Sequence, residues 1–282
     1  MDTSPEPNTP VESGRGVWCS LITVTYNSAS ALREFWGSAG TPPDGVEWIV
    51  VDNASTDGSA ELARSLGARV VQQTHNLGFS ASNNVGLTTA QGRFIGFVNP
   101  DIRVDFDDLP RLLSIAERDR AIVSPQLLNG DGSLQPNGRG FPFLIDKVKN
   151  RLFNDDRLHD SYLLYATSGE RKVCWLMGAA VFGLRADIDL FGGWDDHFFL
   201  YYEDKDFSLR AWAAGIAVEV VSGVTWTHGW ARETTSASAT PWKREFSSMA
   251  KFYRRYPEFL LSRGGAARRH PQIQRAVFGT AR

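Results

Sequence analysis

Between Gly192 and Arg210 the chain reads Gly-Gly-Trp-Asp-Asp-His-Phe-Phe-Leu-Tyr-Tyr-Glu-Asp-Lys-Asp-Phe-Ser-Leu-Arg. A glycine turn feeds an aromatic run, and the run delivers Glu203, Asp204 and Asp206 to the start of an expected helix. Carboxylates in a first helical turn face the positive end of the macrodipole, which favours their ionised form. A carboxylate walled by Phe198, Phe199, Tyr201 and Tyr202 is partly shielded from water and suits a general base. The alternative is ordinary helix design, with Asp206 and Arg210 pairing at i,i+4.

A second set of polar residues sits at the ends of apolar runs. Val17 to Val24 ends in Thr25-Tyr26-Asn27, and Glu47 to Val51 ends in Asp52-Asn53. Ala68 to Gln72 precedes His75-Asn76-Leu77-Gly78, and Phe94 to Val98 ends in Asn99-Pro100-Asp101. Turns favour Asn and Asp, so one such end means little. Four in succession predict a lined crevice. Asp52 is placed to accept from a base N–H or a ribose hydroxyl, and Asp101 to reach a divalent cation on a diphosphate, since hard oxygen ligands suit Mg²⁺ or Mn²⁺. His228, beside Gly229 at a later strand end, is a candidate to complete that shell with Asp101, the alternative being a packed residue.

The elements that must position these groups alternate. Helices are expected over Ala31 to Trp36, Ser59 to Leu66, Phe79 to about Ala90 and onward from Glu203 to about Ala214. Strands alternating with helices at this spacing predict an α/β fold with a single wound, mostly parallel sheet and flanking helices. Ligands bind beyond the carboxyl ends of strands in such sheets. No Gly-x-Gly-x-x-Gly follows the first strand and no Gly-Lys-Ser/Thr loop occurs, which excludes the common dinucleotide and phosphate-loop sites. Asn129-Gly130-Asp131-Gly132 predicts a hairpin tip, and Phe141 to Tyr165 a variable loop over the site. Lys172 to Leu184 predicts a buried strand in which Gly178-Ala179-Ala180 leaves room for a ligand, and Ile216 to Val221 a further strand.

The 282 residues, 42% hydrophobic and with a formal net charge of −2, allow one large domain with a sizeable core and give no reason to expect nucleic acid. Cys19 and Cys174 lie in apolar runs and read as buried free thiols in a reducing compartment. Residues 1–14, rich in Pro, Ser and Glu, read as a disordered leader rather than a signal peptide. From Ala231 to Arg282, eleven Lys/Arg against three acids give +8, leaving −10 for the rest of the −2 chain. Trp242, Phe246, Met249, Phe252 and Tyr253 fall at helical spacing there. This basic amphipathic extension, 231–282, can lie on an anionic membrane surface or dock on the core.

Taken in order, Val24-Thr25-Tyr26-Asn27, Val51-Asp52-Asn53-Ala54-Ser55-x-Asp57-Gly58, Asn76-x-Gly78-Phe79, Asn99-Pro100-Asp101 and Tyr202-Glu203-Asp204-x-Asp206-x-x-x-Arg210 resemble the signature runs of family-two inverting glycosyltransferases of the GT-A fold, nearest the rhamnosyltransferase-like branch. The resemblance spans Val17 to Trp230 and implies a GT-A domain over 15–230. It implies a nucleotide-sugar donor held by Thr25, Tyr26, Asn27, Asp52, Asn53, Asn76, Gly78 and Asn99. It implies Asp101 as the metal carboxylate of a DxD-type motif, with Asn99 where many relatives carry Asp, and Asp204 as catalytic base. Trp194, Asp195, Asp196 and Glu203 become the acceptor-side residues. The implied activity is inverting transfer of a sugar, L-rhamnose from dTDP-rhamnose first among the donors, to a lipid-linked or polysaccharide acceptor in cell-envelope assembly, by a cytoplasmic protein with a possible station on the inner membrane face. Galactofuranosyl, mannosyl or other hexosyl transfer, an inactive nucleotide-sugar binder, and an interaction module built on the tail are the alternatives.

Overall fold

The computed structural model describes residues 16–146, 162–229, 239–261 and 263–279. The expected leader, the middle of the 141–165 loop and Trp230 lie outside them. Twelve strands are formed among the described residues: β1 Cys19–Thr25, β2 Val46–Asp52, β3 Arg69–Gln72, β4 Phe94–Val98, β5 Ile102–Arg103, β6 Ala121–Leu128, β7 Gly138–Arg139, β8 Leu163–Leu164, β9 Glu170–Lys172, β10 Trp175–Leu176, β11 Ala180–Leu184 and β12 Ala217–His228. The main sheet runs β3-β2-β1-β4-β11-β6-β12-β5, with β9 also against β12, and β10-β7-β8 make a small second sheet.

The α/β architecture is as expected, and β1 to β4 form its parallel wound half. Beyond β4 the sheet is mixed, because β11 runs antiparallel to both β4 and β6. The apolar run from Lys172 to Leu184 is accordingly not one strand. It divides into β9, β10 and β11, and the break at Met177-Gly178-Ala179 lies in the wall of the cleft described below. β12 outlasts the expected Ile216–Val221 because an irregularity between Val221 and Thr225 absorbs Ser222-Gly223-Val224 and lets pairing with β6 resume.

Both faces of the sheet are covered, which explains why its strands read as continuous apolar runs rather than alternating ones. Successive residues point to opposite layers. Ile22, Ile49, Val51, Ile95 and Phe97 face one core, while Leu21, Trp48, Val50, Phe94 and Val98 face the other. The second core is capped by α1 (Ala29–Ala31, continuing as a π-turn over Leu32–Trp36), α2 (Ser59–Ser65) and α4 (Leu109–Arg118). The first is capped by α3 (Phe79–Thr89) and α6 (Glu203–Ala213); α5 (Arg185–Leu190) follows β11. Cys19 and Cys174 are buried and unpaired.

The tail forms α7 (Ala239–Arg255), α8 (Glu258–Leu261), α9 (Arg263–Arg269) and α10 (Pro271–Phe278). It docks on the core: Phe252, Tyr253, Phe259, Ala266 and Ile273 are buried in the same cluster as Trp194 and Phe207. Tyr253 donates to the Pro142 carbonyl at 3.0 Å, and Ser248 to that of Leu200 at 2.8 Å. Phe141 and Phe143 are buried against Phe259, so the described start of the 141–165 segment packs under the tail and takes no part in the cleft. No helix among the described residues is long and apolar enough to cross a membrane.

Candidate active site

The carboxyl ends of β1, β2 and β4 open onto a cleft of about 1360 Å³. Thr25 and Asp52 are register partners, so β1 and β2 stop together. The loops after these strands bring Tyr26, Asn27, Asn53, Asn99 and Asp101 to its wall, and the loop after β3 adds Asn76 and Gly78. Phe199 and Tyr201 of the loop before α6 and Glu203 and Asp204 of its first turn line the same cleft, and α7 adds Arg244 and Glu245.

Asp101 and His228 are brought together by pairing of β5 with β12, in which His228 stands opposite Ile102 and the Gly229 N–H donates to the Asp101 carbonyl at 2.8 Å. His228 Nε2 lies 3.4 Å from Asp101 Oδ2, and both side chains line the cleft. The two atoms are near enough to reach one ion, and a carboxylate with an imidazole suits a divalent first-row cation whose other positions are filled by phosphate oxygens or water.

Asp204 is carried on the first turn of α6 by an unusual approach. Tyr201 and Tyr202 both hold φ of 69°, a left-handed pair with no glycine. Such conformations cost roughly 1–3 kcal/mol each and persist where the surroundings over-determine them. Here Tyr202 is wedged against Phe252 and Tyr253, and the Phe199 carbonyl accepts from the Phe79 N–H at 2.7 Å. Gly78, with φ of 87°, permits that approach, since a Cβ would come within 2.5 Å of the Phe199 oxygen. Asp204 Oδ1 accepts from the Lys205 backbone N–H at 2.8 Å and from Lys205 Nζ at 3.3 Å. Lys205 Nζ also lies 4.0 Å from the centre of the Trp175 ring. Asp204 Oδ2 has no hydrogen-bond partner among the described residues.

A family model described as glycosyl transferase family 2 matches residues 20–174. The chain belongs to glycosyl transferase family 2. It is 28% identical over 226 residues to the N-acetylglucosaminyl-diphospho-decaprenol L-rhamnosyltransferase of Mycobacterium tuberculosis, covering 69% of this chain and 70% of that one. The fold matches a mannosyltransferase from Pyrobaculum calidifontis, solved with GDP-Man and Mn²⁺, at a TM-score of 0.61 and 16% identity over 96% of this chain and 72% of that one. It also matches GalNAc-T7, solved with UDP, GalNAc and Mn²⁺, at a TM-score of 0.59 and 15% identity, covering 77% of this chain and 44% of that one. The chain thus spans less than half the length of GalNAc-T7.

Several expected site residues of this transferase are engaged in the fold or lie away from the cleft wall. Asp52 and Thr25 are fully buried and absent from the cleft wall; the Thr25 hydroxyl donates to Asp52 Oδ1 at 2.9 Å and the Ser55 N–H to Oδ2 at 3.0 Å. The pair therefore shapes the loop that follows β2. Asn53 reaches the wall, but its amide ties β2 to the Gly78 turn, donating to the Gly78 carbonyl at 3.2 Å and accepting from Ser82 at 2.7 Å. Trp194 is buried among Phe79, Phe97 and Phe207 and supports the cleft from beneath Gly178. Asp195 accepts from Arg255 of α7 and from the His197 backbone, which hold its carboxyl at about 2 against the opposing pull of burial. Asp196 and His197 are exposed beside it, and none of the three lines the cleft. An acceptor role for Trp194, Asp195 and Asp196 is not supported by their positions. Arg244, Glu245 and Arg103 are cleft residues that the sequence did not single out.

Glu203 is different. It lines the cleft yet is 7% exposed, and its Oε2 has no hydrogen-bond partner among the described residues. Burial, reinforced by the neighbouring Asp204 charge, pushes its carboxyl up to about 8 from an ordinary 4.5. At neutral pH it is a neutral acid able to donate a hydrogen bond. The folded protein thus holds a proton that the unfolded chain releases between pH 4.5 and 8, so this group lowers stability as pH rises through that window. Activity that depends on the neutral form should decline as pH climbs past about 8. Glu203→Gln keeps a donor and should flatten that limb in a pH–rate profile; an unchanged limb would show that another group titrates.

Proposed function

We propose that this transferase moves a sugar by direct inverting displacement, with Asp204 as base, and that L-rhamnose from dTDP-rhamnose is the sugar and donor. The acceptor is a lipid-linked or polysaccharide saccharide used in envelope assembly. The observation that carries the reading is that Asp101 with His228 and Asp204 line one and the same cleft. The rhamnosyl choice is supported by the mycobacterial relative's name.

Inverting transfer needs a group that takes a proton from the acceptor hydroxyl as it attacks the anomeric carbon. Asp204 meets this: Lys205 fixes Oδ1, and Oδ2 is left for the incoming hydroxyl. The transition state is oxocarbenium-like, as in glycoside hydrolysis, and one displacement needs no covalent intermediate. Asp101 and His228 would hold a divalent cation, Mn²⁺ or Mg²⁺. Bound there, such an ion offsets charge on the departing diphosphate. Arg103 and Arg244 add positive charge to the same cleft. Tyr26, 48% exposed at the wall, offers a ring face to the donor base, and Asn27, Asn76, Gly78 and Asn99 line its path. Glu203, in its neutral form, donates to an acceptor hydroxyl. The basic tail, anchored by α7, gives the cleft mouth a surface suited to an anionic membrane face.

The test is release of nucleoside diphosphate from a panel of nucleotide sugars with Mn²⁺ or Mg²⁺ and a saccharide lipid. Turnover is expected to be greatest with dTDP-rhamnose; a strong preference for another sugar would replace the donor assignment, and binding without turnover of any donor would favour an inactive binder. Asp101→Ala is expected to weaken Mn²⁺-dependent donor binding by at least about tenfold, in line with loss of one metal ligand or its orienting partner. Unchanged calorimetric affinity with Mn²⁺ present would count against Asp101.

A further inference from the structure

The hairpin tip Asn129–Ser133 is not itself part of the machinery above, although Gly130 touches the cleft. A continuous run of hydrogen bonds connects it to His228. The Ser133 hydroxyl lies 2.6 Å from Asp131 Oδ1, which also accepts from the Ser133 N–H at 2.9 Å. Asn129 Nδ2 lies 2.9 Å from Ser133 Oγ, Gln135 Nε2 lies 2.9 Å from Asn129 Oδ1, and Gln135 Oε1 lies 2.7 Å from His228 Nδ1. Gln135 is fully buried and His228 is 5% exposed.

Each link has one sense only. A carboxylate can only accept, so the single hydroxyl proton of Ser133 points to Asp131. The Ser133 oxygen must then accept, which obliges the Asn129 amide to present its NH₂ to Ser133 and its oxygen to Gln135. Gln135 in turn gives its NH₂ to Asn129 and turns its oxygen to the imidazole. His228 Nδ1 therefore carries a proton, and in the neutral ring Nε2 is the unprotonated nitrogen, the one that faces Asp101 Oδ2. The two interchangeable ends of each amide, and the tautomer of the ring, are fixed from the surface inward. The two serine-turn bonds also hold the Asp131 carboxyl below its ordinary value, so the chain's first acceptor stays ionised.

We propose that Gln135, backed by the Asn129–Ser133 turn, is the positioning residue that sets the tautomer of His228 and so makes its Nε2 a cation ligand beside Asp101. The inference rests on the metal reading above but is testable apart from it. Outer hydrogen-bond partners of ligating histidines commonly contribute about ten- to a hundredfold in metal affinity. The turn is thereby part of the site, although only its glycine touches the cleft.

The experiment uses the full chain with ¹⁵N-labelled histidine and no metal. Long-range ¹H–¹⁵N spectra report which nitrogen of the neutral ring bears the proton, and Mn²⁺ titration followed by electron paramagnetic resonance reports affinity without donor or turnover. The wild type is expected to show His228 in the Nδ1–H form. Gln135→Met should give a mixture of tautomers and about ten- to a hundredfold weaker Mn²⁺ binding. Because a buried substitution can disturb folding, Ser133→Ala on the exposed turn supplies a milder second case: it frees the Asn129 and Gln135 amides to reverse, and should shift the tautomer ratio with a smaller loss of affinity. An Nε2–H wild type, or unchanged tautomer and affinity in both variants, would overturn the proposal. Failure of the wild type to bind Mn²⁺ at all would remove the metal reading, while the tautomer spectra would still decide whether the relay operates.

Discussion

Asp204→Asn should lower turnover by about a thousandfold while leaving donor affinity within a few-fold of the wild type, because proton transfer by a placed side chain typically contributes 10²–10⁴. The substitution preserves shape and can still accept at Oδ1 from the Lys205 N–H and Nζ. What it removes is the basic oxygen. A drop in kcat with little change in donor KM or in calorimetric affinity would therefore isolate the chemical step. If turnover fell less than about tenfold, Asp204 would not be the base. Glu203 is a poor replacement at neutral pH because burial keeps it protonated, and Asp206 points elsewhere.

Asp206→Ala should instead strike the architecture. Asp206 is fully buried and accepts from Arg210 Nε at 2.7 Å, from Arg255 Nη1 at 2.7 Å and from the Tyr256 hydroxyl at 2.9 Å. It is the knot between α6 and the tail. Removing the acid leaves Arg210 and Arg255 without that counter-charge, and breaking a buried pair costs about 3–5 kcal/mol. Arg255 is 40% exposed and keeps Asp195, so the lower end of that range is expected. For a chain of this size about 3 kcal/mol lowers the thermal midpoint by roughly 6–10 °C. The same change should loosen α7, withdraw Arg244 and Glu245 from the cleft and expose the tail to limited proteolysis. A midpoint within about 2 °C of the wild type would mean that the tail is held by its other contacts and not by Asp206.

The contrast among Glu203, Asp204 and Asp206 shows what the sequence could carry. Three carboxylates at one helix start were visible, and so was the i,i+4 pairing of Asp206 with Arg210. Their separate fates were not, since these depend on Tyr201 and Tyr202 adopting left-handed backbone and on the end of α7, some fifty residues later, and the residue after it supplying Arg255 and Tyr256. Strand ends were legible because apolar runs stop at polar turns, and this placed Asn27, Asn76 and Asp101 correctly at the cleft. Asp52 has the same signal, yet its burial is set by a register partner, Thr25, that no local pattern reveals. For Trp194-Asp195-Asp196 the resemblance implies an acceptor contact, and no local pattern reveals that the ring fills the core and that Asp195 faces Arg255. The antiparallel insertion of β11 and the pairing of β5 with β12 are long-range events. The second of them brings His228 to Asp101.

The central claim is that a cation site and a proton acceptor flank one anomeric carbon. It is tested most directly by a crystal structure with Mn²⁺ and an intact, non-transferable donor analogue, using anomalous scattering to find the ion. The expected peak lies about 2.0–2.5 Å from Asp101 Oδ2 and His228 Nε2, with the donor's anomeric carbon between the ion and Asp204. An ion bound instead at the exposed Asp195, Asp196 and His197 group, or a donor whose anomeric carbon faces away from Asp204, would contradict it.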